Sequence, residues 1–461
     1  MKKHILFGML CGLLASNVHA IDVDVTNLDL WDIRGRPDIN NGQPNVSIQE
    51  VAGRQALVLN AALALVKDSQ FTHGTMEMDV LISLGKGEGQ GREFGGFIWH
   101  AQDFSEFELV QYRNIQSGNP YAIHYYPYFS GKATLQLYYG DGHTGSMELT
   151  YDEWTPMKVV VAGDQAEIYL TDMETPVIFV DDLKHNGAGD NGQIGIFGNF
   201  GIEDTTTAFS NFRYEATDTP PVLKGTPHEF TPNPNIVPIW SVSNVFSSDD
   251  IAGKTVLTEA DRANYTWQPL RTDEGRDNGI ADFSKLHRTL PGLNTAIAKT
   301  IIRSDREQVK AFSFGFSDNV QLYFNGKLLY SASDIFGARD YAFIGTPGLF
   351  DTVYLPLREG DNELWLAVTD VLAGWGTLGE FENFDGIQLL TEGGINFDAE
   401  THACTATYDA STTTLDVPCL SVPNALSGAD NELYSVQMNV TNAETGSFGI
   451  VDDTITPVPA K

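Results

Sequence analysis

Two neighbouring stretches decide the fold, Phe94-Gly-Gly-Phe-Ile-Trp-His-Ala-Gln-Asp103 and Phe107-Glu-Leu-Val-Gln-Tyr-Arg113. Both are short and rich in aromatic and branched apolar residues, as β-strands usually are. Phe97, Trp99 and Val110, with Leu137 further on, share one parity. Successive side chains of a strand point to opposite faces, so this parity predicts a buried layer. Similar runs recur along the chain with almost no helical periodicity, and we therefore predict an all-β protein made of sandwiches.

The opposite parity of these strands collects polar and aromatic side chains. They are His100, Gln111, Arg113, His124, Tyr126, Gln136 and Tyr138. If the strands are neighbours, these side chains form one surface. Aromatic rings stack on the C–H faces of sugars, while amide and guanidinium groups hydrogen-bond to their hydroxyls. The pattern therefore favours a glycan-binding surface, and the alternative is an ordinary solvated sheet face with cross-strand pairs.

Five further segments continue the strand pattern in the first part of the chain: 71–79, 154–161, 166–170, 192–196 and 209–212. With the two stretches quoted above, they resemble a concanavalin A-like jelly roll over residues 21–216. The resemblance is to the laminin-G-like branch and, more closely, to the 3-keto-disaccharide hydrolase domain family. It implies that an oligo- or polysaccharide binds the concave sheet. Because this fold carries many activities, the resemblance predicts the fold more sharply than the chemistry.

Catalysis on the same face is the alternative function. The laminarinase-like glucanases of this fold carry Glu-x-Asp-x-x-Glu on one strand, and here Glu77-Met-Asp79 lacks the last Glu, because Ile82 stands there. A retaining glycosidase needs two carboxyl groups about 5–5.5 Å apart. Glu77 and Asp79 are thus the weak catalytic candidates for a glycoside hydrolase of the 3-keto-disaccharide hydrolase type. Two outside readings are a polysaccharide lyase that uses His124 or Tyr126 as base, and a structural envelope or adhesion component.

The rest of the chain is predicted to contain two more β domains. A proline-rich linker, 217–234, leads to residues 235–392, where Val320-Gln-Leu-Tyr-Phe-Asn-Gly326 ends in an Asn-Gly hairpin signal. Together with Gly360-Asp-Asn-Glu-Leu-Trp-Leu-Ala-Val368, this stretch resembles galactose-binding-like β-sandwich domains. Trp375 is either exposed for stacking on a sugar or folded back on the sandwich. Residues 393–461 are predicted to be a small β module closed by a disulfide between Cys404 and Cys419.

Composition and the first residues limit the partners and the compartment. The chain of 461 residues has 61 acidic and 28 basic side chains, a formal charge of −33, which argues against nucleic acid as a partner. Lys2, Lys3 and an apolar stretch precede small residues ending at Ala20, which predicts a signal peptide (1–20) cleaved before Ile21. We therefore predict a bacterial protein, periplasmic or secreted, with no membrane span. We predict no cofactor and no metal ligands, although acidic loops leave a structural Ca²⁺ open.

Overall fold

The computed structural model describes residues 20–36, 42–86, 91–185, 191–198, 205–228, 231, 233–272, 279–340, 343–391, 407–409, 414–422, 432–442, 447–450 and 456–457. The chain forms two compact units, residues 1–229 and 230–461. Both consist almost entirely of antiparallel strands, which confirms the predicted all-β class.

The strands of the N-terminal unit are short and closely spaced in the chain. In chain order they are β1 (Ile21–Asp22), β2 (Trp31–Gly35), β3 (Asn45–Val51), β4 (Arg54–Asn60), β5 (Ala62–Val66), β6 (Gly74–Ile82), β7 (Phe94–Ala101), β8 (Phe107–Arg113), β9 (Ile123–Phe129), β10 (Lys132–Ala133), β11 (Thr144–Gly145), β12 (Thr155–Ala162), β13 (Gln165–Leu170), β14 (Ile178–Val180), β15 (Gln193–Gly198) and β16 (Thr207–Ala216).

These strands form two sheets. The front sheet has the order β10-β9-β8-β7-β15-β5-β2, with β11 paired to β9, and the back sheet has the order β14-β13-β12-β6-β16-β4-β3, with β1 paired to β16. One apolar cluster takes side chains from both sheets, among them Phe97, Trp99 and Val110 from the front and Met76 and Met78 from the back. The unit is therefore a β-sandwich, and the predicted buried layer of Phe97, Trp99 and Val110 lies in its core.

The C-terminal unit has two sheets and a separate third one. Its strands are β17 (Ile239–Ser243), β18 (Trp267–Arg271), β19 (Ala281–Asp282), β20 (Thr295–Ser304), β21 (Gln308–Ser317), β22 (Asn319–Phe324), β23 (Lys327–Ser333), β24 (Asp351–Leu357), β25 (Gly360–Thr369), β26 (Gly376–Phe381), β27 (Ile387–Leu390), β28 (Thr407–Asp409), β29 (Thr414–Val422), β30 (Glu432–Asn442), β31 (Ser447–Ile450) and β32 (Thr456–Pro457). A one-turn helix, α1, spans Glu259–Arg262.

Strands β17 to β27 make two sheets around one apolar core. Their orders are β18-β17-β20-β25-β22-β23, with β27 on β20, and β19-β26-β21-β24. The β22–β23 turn has Asn325 and Gly326 at φ 49° and 76°, the left-handed pair that a tight hairpin requires, so the predicted hairpin is confirmed. Among the described residues, β28 to β32 pair only with one another. Cys404 lies outside the described residues, as does the side chain of Cys419.

The proline-rich segment between the two β regions is partly anchored to the N-terminal unit. The buried Glu167 carboxylate accepts hydrogen bonds from the backbone N–H of Lys224, at 2.5 Å, and from that of Gly225. The Lys224 ammonium also pairs with Glu174, and the His228 ring contacts Asp181. Residues 224–228 are therefore held by specific contacts, whereas the sequence predicted an extended linker throughout 217–234.

Candidate functional site

Two adjacent strands of the front sheet, β8 and β9, carry the polar group of interest. Their alternate residues Val110, Tyr112, Ile123 and Tyr125 belong to the core. Strand alternation therefore directs the intervening side chains to the face away from the back sheet. Gln111 lies directly opposite His124 in the register of the two strands. The Arg113 cluster consists of four of the predicted binding residues, namely Gln111, Arg113, His124 and Tyr126.

Hydrogen bonds join the members of the Arg113 cluster. The Gln111 amide forms hydrogen bonds with its neighbours in the orientation that turns its carbonyl oxygen toward Arg113. That oxygen then lies 2.9 Å from Nη2 and 3.0 Å from Nε of Arg113. The Tyr126 hydroxyl is 3.1 Å from the same oxygen. Arg113 Nη2 also lies 2.9 Å from Nδ1 of His124. The guanidinium is thus held by two neutral side chains from neighbouring strands.

The neighbours of His124 fix its tautomer. Its Nε2 lies 2.6 Å from the carbonyl oxygen of Tyr138, so Nε2 carries the proton and donates it. Nδ1 is then free of a proton and accepts from Arg113. Burial, with the charge of Arg113 as the second cause, holds the pKa of His124 well below its usual value. His124 is therefore a neutral acceptor beside a cation.

Aromatic rings surround this polar centre. Tyr121 and Phe94 lie 5.8 and 5.4 Å from the Arg113 guanidinium carbon, measured to the ring centroids. The Tyr139 ring is 6.2 Å from the His124 ring and 6.1 Å from that of Tyr121. The four cluster members are at most 5% exposed, whereas Phe94 and Tyr139 are half-buried. Phe94 and Tyr139 are therefore the most exposed of the side chains around the Arg113 cluster.

Sequence reasoning missed these rings. Phe94 lies on β7 with the parity of His100, so alternation offered a signal for it, whereas the reason for the other two is local. Tyr121 and Tyr139 lie in connections between strands, where alternation predicts no direction for a side chain. The sequence did offer one indication, the pair Tyr138-Tyr139 beside a glycine. Strand alternation selected Tyr138, whereas the ring near His124 belongs to Tyr139.

Tyr138 and Gln136 do not lie on a strand. Residues 135–138 form a turn between β10 and β11, so the alternation used to place them does not apply. The Tyr138 ring lies 5.5 Å from the ring of His143, which in turn stacks on the core ring of Tyr125 at 5.6 Å. The carbonyl oxygen of Tyr138 contacts the Arg113 cluster through His124. Gln136 is buried in the same turn.

His100 lies at the other end of β7 from the Arg113 cluster. Phe94 pairs with Arg113 and Trp99 with Glu108, which puts His100 about 20 Å along the sheet from Arg113 at the usual strand rise. A bulge against β15 and a positive φ of 50° change the direction of its side chain. Its two ring nitrogens lie 2.9 and 3.0 Å from the carbonyl oxygens of His185 and Thr72. These contacts make His100 a structural residue.

The two catalytic candidates occupy the other sheet. Glu77 and Asp79 project from β6 of the back sheet on the side opposite the core residues Met76 and Met78. Glu77 pairs with Arg213, whose Nε is 2.6 Å away, and Asp79 accepts from Arg54 at 2.5 Å and from Asn211 at 2.6 Å. The expectation that they line the same face as Arg113 is wrong, because β6 was assigned to the front sheet without any pairing information.

Trp375 is buried in the core of the C-terminal unit. Its Nε1 donates to the carbonyl oxygen of Val368 at 2.9 Å, and its ring meets Phe283 edge-on at 5.6 Å. Of the two readings from the sequence, the folded-back one is correct. Within the described part of the chain, no three His, Cys, Asp or Glu side chains come together as a metal site would require. None of the described helices is long and apolar enough to cross a bilayer.

No protein-family model matches the sequence, and no curated protein matches it either. Among solved structures, the carbohydrate-binding module CBM66 from Bacillus subtilis is similar at 18% identity, with a TM-score of 0.29, over 38% of this chain and 94% of that one. Domain 4 of a GH43 extracellular arabinanase from Geobacillus stearothermophilus, in complex with arabinotriose, matches at 14% identity over 40% of this chain and 82% of its own, with a TM-score of 0.27.

A third similar structure is a GH16 protein of a mixed-linkage glucan locus from Bacteroides ovatus, in complex with a glucan product. It matches at 10% identity over 42% of this chain and 98% of its own, with a TM-score of 0.27. Likenesses of this size carry no argument about activity, so the functional argument rests on the Arg113 cluster.

Proposed function

We propose that the protein is an exported carbohydrate-binding protein and that the Arg113 cluster is its glycan site. The observation that carries the proposal is a set of preorganised hydrogen-bonding groups on strands β8 and β9 of the front sheet, with half-buried rings beside them. The guanidinium donates in fixed directions because Gln111 and His124 hold it. A sugar that stacks on Phe94 or Tyr139 would place its hydroxyls against these donors.

The export half of the proposal rests on the first twenty residues. Lys2, Lys3, the apolar stretch after them and the small residue Ala20 fit a signal peptide. The acidic excess of the whole chain suits an extracellular ligand-binding protein and disfavours a nucleic-acid partner.

The two carboxylates considered for a hydrolase do not lie on the face that carries the Arg113 cluster. Glu77 and Asp79 lie on the outer side of the back sheet and are neutralised by Arg213 and Arg54. A nucleophile and an acid beside the bound sugar are what retaining chemistry requires. The structure favours binding without cleavage by this pair.

A glycan array with the full chain tests the proposal. We expect selective binding by the wild type and loss of roughly tenfold or more in affinity for Arg113→Ala, because that change removes the central donor group. Arg213→Ala is the matched control, since it removes the same side chain from the outer side of the back sheet. Tyr139→Ala, at a half-buried ring, tests the stacking surface with little risk to the fold.

Two outcomes of this experiment would contradict the proposal. Binding that is equal for wild type and Arg113→Ala would place the glycan elsewhere. An array without any bound glycan would contradict the proposed function. Circular dichroism of each variant separates lost binding from lost folding.

A further inference from the structure

Among the residues that the structure describes, the charge of Arg113 has no opposite charge beside it. Only 5% of the residue is exposed, and within the described residues no carboxylate lies at ion-pair distance from its guanidinium. Burial lowers the pKa of Arg113, and the groups that oppose this lowering are the phenols of Tyr126, Tyr121 and Tyr139. These phenols are neutral at physiological pH. The site therefore contains a buried, uncompensated positive charge.

Other arginines of this protein show the reverse pattern. Six arginines of the described residues form ion pairs with between 34% and 58% of their side chains exposed; they are Arg54, Arg213, Arg262, Arg303, Arg306 and Arg339. The chain has more than twice as many acidic as basic residues, so carboxylates are abundant. A buried arginine surrounded by neutral groups is thus unusual within this molecule.

The neutral partners of Arg113 orient it without compensating its charge. Gln111 offers an amide oxygen, and His124 is held as the Nε2–H tautomer by the Tyr138 carbonyl. Removing an ion from water costs several kcal/mol in proteins, and neutral hydrogen bonds recover only part of that cost. An anion that binds beside Arg113 would therefore compensate a charge that the free site leaves uncompensated.

A second guanidinium acts on the same place. Arg36 follows β2 of the front sheet and is half-buried. Burial raises the pKa of Tyr126, while the positive charges of Arg113 and Arg36 both oppose that rise. The Tyr126 hydroxyl thus feels two cations.

We infer that the glycan bound by the Arg113 cluster is acidic, and that its sugar presents an oxyanion, a carboxylate or a sulfate ester, to Arg113. The inference rests on the proposed function and narrows its substrate class. Because Gln111 and His124 occupy Nε and Nη2 of Arg113, Nη1 is the guanidinium nitrogen that remains to donate a charge-assisted hydrogen bond to the oxyanion. The net charge of the chain repels polyanions at long range, so recognition depends on the local charge of Arg113.

Matched acidic and neutral probes test the inference. Calorimetry with the full chain compares oligogalacturonides with the same oligosaccharides after methyl esterification, which removes the charge and keeps the backbone. A second arm compares sulfated with desulfated galactan oligosaccharides. We expect at least one acidic probe to bind about tenfold or more tightly than its neutral partner, because a charged hydrogen-bonded pair is replaced by a neutral one. The arm that shows the preference identifies the oxyanion.

Variants assign the preference to Arg113. In Arg113→Gln the acidic and neutral probes should bind alike, while Arg113→Lys should keep part of the preference because it keeps the charge. Arg213→Gln, on the outer side of the back sheet, should leave the preference unchanged. A preference that survives intact in folded Arg113→Gln would overturn the assignment.

The wild type alone decides the chemistry if these variants fail to fold. Equal or tighter binding of the neutral probes would overturn the inference and leave the proposed function standing. No binding of any probe, combined with an empty glycan array, would overturn both.

Discussion

Acid should destabilise the N-terminal unit through His124, and the size of the effect follows from its surroundings. Burial and the charge of Arg113 hold the pKa of His124 well below 6.5, its value in an unfolded chain. Below about pH 6.5 the unfolded chain takes up a proton that the folded chain does not. Stability therefore falls as the pH decreases through that value and is fully retained above it.

The magnitude is set by one proton. Between pH 7.5 and pH 5.5, a histidine with an ordinary pKa in the unfolded chain and a far lower one in the folded chain removes about 1.4 kcal/mol from the free energy of unfolding. His124→Gln cannot take up this proton, while its amide can still donate toward the Tyr138 carbonyl oxygen. We expect the variant to be less stable at pH 7.5, because a ring is lost from a filled site, but to lose about 1.4 kcal/mol less than the wild type on acidification.

Urea titration of the full chain at several pH values measures this difference. Pulse proteolysis, with peptides of residues 20–228 quantified by mass spectrometry, reports on the N-terminal unit separately. Comparing slopes against pH cancels the contributions of the remaining histidines, which wild type and variant share. Parallel stability profiles for wild type and His124→Gln would refute the reasoning, since they would mean that His124 has the same proton affinity folded and unfolded.

Three further predictions concern other parts of the molecule. Trp375→Ala should destabilise the C-terminal unit by about 3–5 kcal/mol, because it leaves a cavity in the core and removes the donor to the Val368 carbonyl oxygen. Trp375→Phe should destabilise the unit less, and urea titration measures both variants. Glu77→Gln combined with Asp79→Asn should leave glycan affinity unchanged in calorimetry, and a large loss would contradict the assignment of these residues to the outer side of the back sheet. Glu167→Ala should release residues 224–225 and speed proteolysis of that segment, with Glu50→Ala, an exposed carboxylate on β3, as the control.

Residue patterns predicted the strand-forming stretches and the core parity correctly where the chain is a regular strand. Phe97, Trp99 and Val110 lie in the core, and Gln111, Arg113, His124 and Tyr126 share the opposite face. Strand alternation is a local property of the backbone, so the sequence carries it directly. The same rule failed at His100, where a bulge interrupts the strand, and at Tyr138, where the chain turns.

The sequence by itself determined that this is a β protein and which side chains of β8 and of β9 point away from the core, because both follow from the two-residue period of a strand. Only the tertiary structure decided that Glu77 and Asp79 belong to the other sheet, that Tyr121 and Tyr139 approach the Arg113 cluster from connecting segments, and that Trp375 is buried. These facts depend on which strands pair and on how loops fold over a sheet. Such contacts join residues far apart in the chain, and no local pattern encodes them.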